Sequence, residues 1–462
     1  MAHPLSSRLE RLCAIVAAGF WLGGLVLLWA MVRPAPRPLA ATLLGSYFLG
    51  WGTALVLAAP PRSRMIARFT STTLALALPL GCLELASVVG VADFRMLSSA
   101  PGLEPRHNAD NVPDPELIHI HKPYLKRAGA TRGDIASALH MTDTPLHPYE
   151  VAYDRNGFRN ARDLSEAEIA VLGDSFVEGG LVAAGDLMTA TLGRLLGCNV
   201  ANLGQSGYGP QQELVVLKRY AAPLRPRLCI WTFYEGNDLD DVARYVPLTQ
   251  DNGRAARSTR RERSFGRNAM LALSYRLGRI LTPDASDQAP GGTFQDVNGR
   301  TTRVFFRDRG APPPRQELSA LDEVVSVLTA AHSACAANRM TLLVVFAPQK
   351  FRVYKDCCSF PADNPCTRWV LDDLPERLRA RVAAIDPGTG FLDLTPALAA
   401  EAARGRLLYF ADDTHWSAEG HRVAGRAIAA DIARRVDLGS LPTMSPKRQE
   451  PLAATKDEPR RR

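Results

Sequence analysis

The stretch Glu168-Ile169-Ala170-Val171-Leu172-Gly173-Asp174-Ser175-Phe176 decides the fold. An apolar strand runs straight into a Gly-Asp-Ser turn, so the hydroxyl of Ser175 is displayed where the strand ends. Outward from it the pattern alternates. Helices at Leu187–Leu196 and Gln211–Tyr220 separate strands at Asn199–Leu203 and Leu228–Tyr234, the last wholly apolar in the manner of a buried parallel strand. After a lapse, the spacing predicts a helix at Leu318–Asn338, strands at Thr341–Phe346 and Phe391–Leu394, and a closing helix at Ala418–Val436. Such alternation implies an α/β domain with a parallel sheet covered on both faces.

Ligands of open α/β sheets gather at the carboxyl ends of the strands, and four segments there carry chemistry. Gly173-Asp174-Ser175 is the first. Asn202-Leu203-Gly204-Gln205-Ser206-Gly207-Tyr208-Gly209 is a glycine-rich turn whose N–H groups can face a developing oxyanion. It lacks the ribose-binding acid of a dinucleotide loop. Tyr234-Glu235-Gly236-Asn237-Asp238 follows the apolar strand and offers the Asn237 amide as a further donor. Ala411-Asp412-Asp413-Thr414-His415-Trp416 supplies a histidine with carboxylates beside it, suited to taking a serine proton.

Together and in this order, the four segments resemble the SGNH or GDSL hydrolase family over residues 165–437. The resemblance implies a flavodoxin-like three-layer α/β/α fold. It implies Ser175 as nucleophile and His415 as general base, with Asp412, at the family's Asp-x-x-His spacing, as the orienting acid. Ser175, Gly207 and Asn237 would form the oxyanion hole. Asp413 precedes His415 at a two-residue spacing and competes with Asp412. The Asp-Thr-His-Trp sequence also looks like the motif of SGNH-like domains that O-acetylate exported polysaccharides. No metal or organic cofactor is required by this chemistry.

The chain has 462 residues, 46% hydrophobic, with a formal charge of +8. The excess sits at the ends. Residues 1–92 hold seven Arg against two Glu, and residues 446–462 hold six basic against three acidic residues, so residues 93–445 are neutral overall. That pattern argues against nucleic acid as a partner. Leu12–Val32, Pro38–Pro60 and Phe69–Ala92 are apolar runs long enough for membrane helices, the third carrying Pro79 and Glu84. Arg8, Arg11, Arg62, Arg64 and Arg68, against Arg33 and Arg37 alone in the first loop, keep the N-terminus inside. Three crossings then place the large domain outside the cytoplasm, at the inner membrane facing the periplasm. If the third run did not span, that domain would be cytoplasmic. Glu84 is expected to be protonated or paired within the helix cluster.

The remaining regions read as accessories. Residues 93–164 form a leader with short strands at Leu117–His121 and Tyr149–Tyr153, where His119 and His121 read as surface residues. Residues 239–315 form an insertion rich in arginine, from Arg254 through Arg257, Arg260, Arg261 and Arg263 to Arg267, and it reads as a solvated loop. Cys357, Cys358 and Cys366 suggest a short loop disulfide, with no facing His or Cys pair for zinc. His421 reads as a surface residue of the closing helix. Residues 438–462 read as a disordered basic tail. Three functions remain: an extracytoplasmic esterase acting on an envelope glycan or lipid ester, an O-acetyltransferase of exported polysaccharide served by other envelope-polysaccharide membrane proteins, and a non-catalytic glycan-binding module.

Overall fold

A computed structural model describes residues 51, 63–92, 94, 110–139, 141, 144–249, 263–281, 289–307 and 315–437. The first two apolar runs, Arg254 to Arg261 and the basic tail lie outside these residues. The chain divides into two compact units. One comprises Met1–Ala109 with Ala256–Pro283, and the other Asp110–Ala255 with Asp284–Arg462. The leader from Asp110 onward therefore belongs to the catalytic unit, whereas the sequence suggested a separate linker.

The elements in chain order are helix α1 (Ser63–Val88), strands β1 (Asn111–Asp114), β2 (Ile118–His121) and β3 (Lys126–Thr131), helix α2 (Asp134–Ala138) and strand β4 (His147–Ala152). Then follow β5 (Ile169–Gly173), α3 (Ser175–Glu178), α4 (Met188–Leu196), β6 (Val200–Gly204), α5 (Pro210–Val216), β7 (Leu228–Tyr234) and α6 (Asp238–Thr249). Helix α7 (Phe265–Leu281), strands β8 (Gly291–Gln295) and β9 (Thr301–Phe305), helix α8 (Arg315–Ala337), strand β10 (Thr341–Ala347) and helix α9 (Lys350–Tyr354) come next. The last are β11 (Cys358–Ser359), α10 (Leu374–Ile385), β12 (Gly390–Asp393), α11 (Thr395–Ala403) and α12 (Ala418–Asp437).

Five parallel strands form the central sheet in the order β12-β10-β7-β5-β6. Counted along the chain, β5 is flanked by the strand that follows it on one side and by β7 on the other, which is the flavodoxin-like order with a switch point between β5 and β7. Successive side chains point to opposite faces. Ala170, Leu172, Trp231, Phe233, Val344 and Phe346 pack in one core with Val324 and Leu328 of α8 and Leu378 of α10. Ile169, Val171, Ile230, Leu343 and Val345 pack in the other with Leu192 of α4, Leu398 of α11 and Ile428 of α12. Each buried Val, Leu, Ile or Phe among them contributes about 1.5–3 kcal/mol by leaving water, so the two faces hold the sheet rigid and its strand ends in fixed positions.

The insertion is more structured than a solvated loop. It contributes α6, α7 and the strands β8 and β9, which pair with each other, β8 pairing also with β11. Cys357, Cys358 and Cys366 are free thiols rather than a disulfide. Cys358 is fixed in the pairing of β11 with β8, and Cys366 is buried in a separate turn capped by Asn364. Burial pushes both of these thiols up to about 12.

In the other unit, the third apolar run falls on α1. No helix among the described residues is long and apolar enough to cross a membrane, which departs from the expected third span. Pro79, Glu84 and the hydroxyl residues at 70–73 dilute its hydropathy. Glu84 meets α7 rather than a partner in an apolar cluster. Its carboxylate accepts the Ser264 hydroxyl at 3.1 Å and the Gly266 N–H at 3.0 Å, at the start of that helix. A negative group suits the unsatisfied donors of a helix N-terminus.

Candidate active site

Ser175 opens α3 directly after its cap residue, Asp174, whose Oδ1 accepts the Phe176 N–H at 2.9 Å. Only glycines let this short helix lie so close over the sheet. A Cβ on Gly173 would stand 2.5 Å from Val177 Cγ2, and one on Gly204 would stand 2.5 Å from the Glu178 nitrogen. The Gly-Asp-Ser sequence thus fixes both the end of β5 and the direction of the hydroxyl.

His415 comes to that hydroxyl from the turn before α12. Its Nε2 lies 2.7 Å from Ser175 Oγ, and its Nδ1 lies 2.6 Å from Asp413 Oδ1. The same Asp413 oxygen accepts the backbone N–H of His415 at 2.8 Å. Asp413 is therefore the carboxylate on the ring, where the spacing pointed to Asp412. The physical reason is local: in this tight turn the residue two positions back closes on the backbone and ring of His415 together. Asp412 points elsewhere, 2.6 Å from His147 Nε2 and 3.4 Å from the Gly133 nitrogen. With Nδ1–H donated to Asp413, Nε2 carries the lone pair that faces Ser175.

Electrostatics reinforce the arrangement. Burial works against a charged His415, but the Asp413 carboxylate, with Asp134 and Asp174 nearby, raises it to about 9. Burial likewise opposes ionisation of Asp413, yet the His415 charge and its hydrogen bonds hold this carboxyl below the usual range. Asp174 is buried and pushed up by desolvation. Behind it, Glu213 and Asp238 are buried carboxyls raised well above their ordinary values by desolvation first, then by Asp174 and Asp241 at Glu213 and by Glu213 and Asp174 at Asp238. His147 is raised by its hydrogen bond to Asp412.

The expected oxyanion donors occupy the same end of the sheet. Gly173 pairs with Gly204 across β5 and β6, and Gly207 turns the chain three residues later at φ +80°. Its neighbour Ser206 is held from both sides. The Ser206 N–H donates to Glu178 Oε2 at 2.6 Å, and the Ser206 carbonyl lies 3.2 Å from His119 Nε2. Glu178 Oε1 in turn accepts the Tyr153 hydroxyl at 2.5 Å and faces His121 Nε2 at 3.2 Å. His119 and His121 thus face the glycine turn and α3 rather than solvent. Asn237 lies beside Asp174, but its amide donates to Asp174 Oδ2 at 3.3 Å and Asp241 Oδ2 at 2.9 Å. His421 is also no surface residue. It is 1% exposed, accepts the Met188 N–H at 3.3 Å on Nδ1, and is lowered by burial and nearby cations to about 3.

Sequence reading missed Asp134, His147 and Glu178. Asp134 stands at the start of α2, where its N–H donates to Asp413 Oδ2 at 2.7 Å. Its two carboxylate oxygens accept the Thr414 N–H at 2.8 Å and the Thr414 hydroxyl at 2.7 Å. Asp134, Asp413 and His415 have ligand-type atoms within 4.8 Å of one another. Asp413 is engaged with the His415 ring and the Asp134 carboxylate with Thr414. Alternating histidines at 119 and 121 were the one local signal of leader involvement; nothing near Asp134 or His147 marked them.

Residues 299–457 match a family model described as the SGNH hydrolase-like domain of the acetyltransferase AlgX. The match includes the histidine turn but not Ser175, which the fold brings to it from the first strand of the sheet. No curated protein matches. Among solved structures, the chain is similar to a putative lipolytic protein of the G-D-S-L family from Desulfitobacterium hafniense, at 13% identity and a TM-score of 0.31, covering 57% of this chain and 97% of that one. It is also similar to a catalytic mutant of an acetylxylan esterase from Geobacillus stearothermophilus, at 14% identity and a TM-score of 0.32, covering 58% and 95%. A putative acylhydrolase from Bacteroides fragilis stands at 13% identity and 0.30, covering 58% and 87%.

Proposed function

We propose that this chain, which carries an SGNH/GDSL-type domain, is a membrane-anchored extracytoplasmic serine esterase that hydrolyses an O-acyl ester, acetyl above all, on an envelope glycan or lipid. The observation that carries the reading is the unbroken line from Ser175 Oγ through His415 to Asp413, at 2.7 and 2.6 Å. His415 Nε2 takes the hydroxyl proton as Ser175 attacks the ester carbonyl, and then returns it to the leaving alcohol. Asp413 holds the ring in the required tautomer and balances the imidazolium. Water attacks the Ser175 ester in the second half, with His415 again as base. The N–H groups of Ser175 and Gly207 and the Asn237 amide serve the oxyanion, and Asn237 joins them by releasing Asp174 or Asp241. One such donor is worth about 2.7–4 kcal/mol of barrier.

Turnover of p-nitrophenyl acetate by the full chain, and covalent capture by a fluorophosphonate, test this reading. Both should vanish in Ser175→Ala, by at least ~10⁴-fold in kcat. Equal turnover by the variant and the parent would sink it. Absence of Ser175-dependent capture in a folded sample would favour a glycan-binding module.

The acetyltransferase description of the matched family model favours a second reading, O-acetyl transfer to an exported polysaccharide. The Ser175 ester is common to both, and only the acceptor differs. Acetate release that gives way to acetylated sugar when a polysaccharide is added would decide for transfer.

Anchoring is supported by the two uncharged runs at 12–32 and 38–60 and by the bias of arginines around them. Outward placement requires a third crossing over residues 69–92, where α1 falls short of the apolar character of a span; its exposed Leu74, Leu78 and Leu85 are what favours one. A phosphatase reporter fused after Gly102 should be active; an inactive one would put the domain in the cytoplasm.

A further inference from the structure

The histidine turn is held largely by residues nearly 280 positions earlier in the chain. Asp134 Oδ1 and Oδ2 accept the Thr414 N–H and hydroxyl at 2.8 and 2.7 Å, and its own N–H donates to Asp413 Oδ2 at 2.7 Å. The exchange is reciprocal, and it satisfies the Asp413 oxygen that His415 does not use. The start of α2 leans on the same turn, with Gly133 N 3.4 Å from Asp412 Oδ2 and the Ala136 N–H donating to the Asp412 carbonyl at 3.1 Å. Contact is so close that a Cβ on Gly133 would stand 2.1 Å from the Asp412 carbonyl oxygen. His147, at the start of β4, takes the Asp412 carboxylate away from His415 at 2.6 Å.

We propose that Asp134 is a positioning residue for the general base: it locks the Asp413–Thr414–His415 turn so that the ring nitrogen meets Ser175, making the leader a working part of the active site. The inference rests on the serine-esterase reading and deepens it. Asp134 touches neither Ser175 nor, by this geometry, the ester. It acts through Thr414 and Asp413, fixing the carboxylate that fixes the ring. Its negative charge adds to that of Asp413 in favouring the imidazolium, and burial together with Asp413 raises Asp134 itself. The other titratable or charged groups facing this cluster include Asp174, Asp412, His147, His421, Arg307 and Lys350, the last donating to the Ala411 and Asp413 carbonyls at 2.9 Å.

The test is the pH–rate profile of p-nitrophenyl acetate hydrolysis by the full chain and three variants. Asp134→Asn keeps the shape and an acceptor for the Thr414 N–H but removes the charge. It should lower kcat by ~10²-fold, the scale of a misplaced catalytic group, with KM nearly unchanged and the acid limb moved to lower pH. Gly133→Ala removes no charge and should lower kcat by wedging α2 off the turn. A folded Asp134→Asn, with the parent melting temperature, kcat and acid limb, would overturn the proposal. Should Asp134→Asn fail to fold, Thr414→Val removes the 2.7 Å hydroxyl bond to Asp134, together with a marginal 3.5 Å approach to His415 Nδ1. A smaller kcat loss in that variant sustains the proposal, and a parental profile overturns it. Equal turnover by Ser175→Ala and the parent would instead remove the esterase reading beneath both.

Discussion

The two turns that meet at Ser175 and His415 are built in opposite ways. The serine turn is local. Its geometry follows from Gly173 and Gly204, from the Asp174 cap, and from a strand buried on both faces. The histidine turn borrows its rigidity. Thr414 is held by Asp134, Asp412 by His147 and Gly133, and the carbonyls of Ala411 and Asp413 by Lys350. A nucleophile must project at one angle from a rigid strand, which packing alone can arrange. A base must keep two ring nitrogens aligned at once, and that takes hydrogen bonds from several directions.

The sharpest way to break the comparison is to exchange the roles of the adjacent acids. Asp413→Asn should lower kcat by ~10⁴-fold, the loss typical when a base keeps its place but not its tautomer. Asp412→Asn should cost less than about tenfold, because its side chain steadies the turn from outside. Equal losses, or a larger one for Asp412→Asn, would reverse the assignment.

On the serine side the weak points are steric. Gly173→Ala sets a methyl against Val177 and Thr232, at 2.5 and 3.2 Å from their nearest side-chain atoms. It should destabilise the fold by about 1–3 kcal/mol, the usual cost of overpacking, read as a lower denaturation midpoint with loss of fluorophosphonate capture. An unchanged midpoint would mean that α3 is free to rise from the sheet.

The smallest expected effect concerns the leader's grip and pH. His147 is raised in the folded chain by its bond to Asp412. Its contribution to stability is therefore complete below the unfolded value of about 6.5 and is lost as pH rises through the folded value. The melting temperature of the parent should exceed that of His147→Gln at pH 5.5, and the gap should close in alkali. A gap independent of pH would assign His147 to packing.

Much of this molecule was legible in the sequence because the relevant physics is local. Apolar runs marked β5, β7 and β10, and the Gly-Asp-Ser break marked the nucleophile turn. Spacing served less well at 412–415, where residues two and three positions before a histidine both lie within reach and only the turn decides between them. The leader was read as an accessory because its partners lie nearly 280 residues away. Asp134 and His147 carry no neighbouring pattern, and they acquire meaning only when α2 meets the turn. Glu84 was similarly misread, since its partner in α7 belongs to a segment about 180 residues further along.

That last contact bears on how the protein can be divided. The chain passes between its two units three times, leaving the first near residue 109, re-entering it near 256 and leaving again near 283. A truncated chain starting at Asp110 would keep α7 while discarding α1, Phe94 and Glu84, the residues that pack against it and cap it. It would carry an orphaned helix prone to self-association. A well-behaved fragment for enzymology needs a second excision, of residues 256–283, closed by a short polar linker.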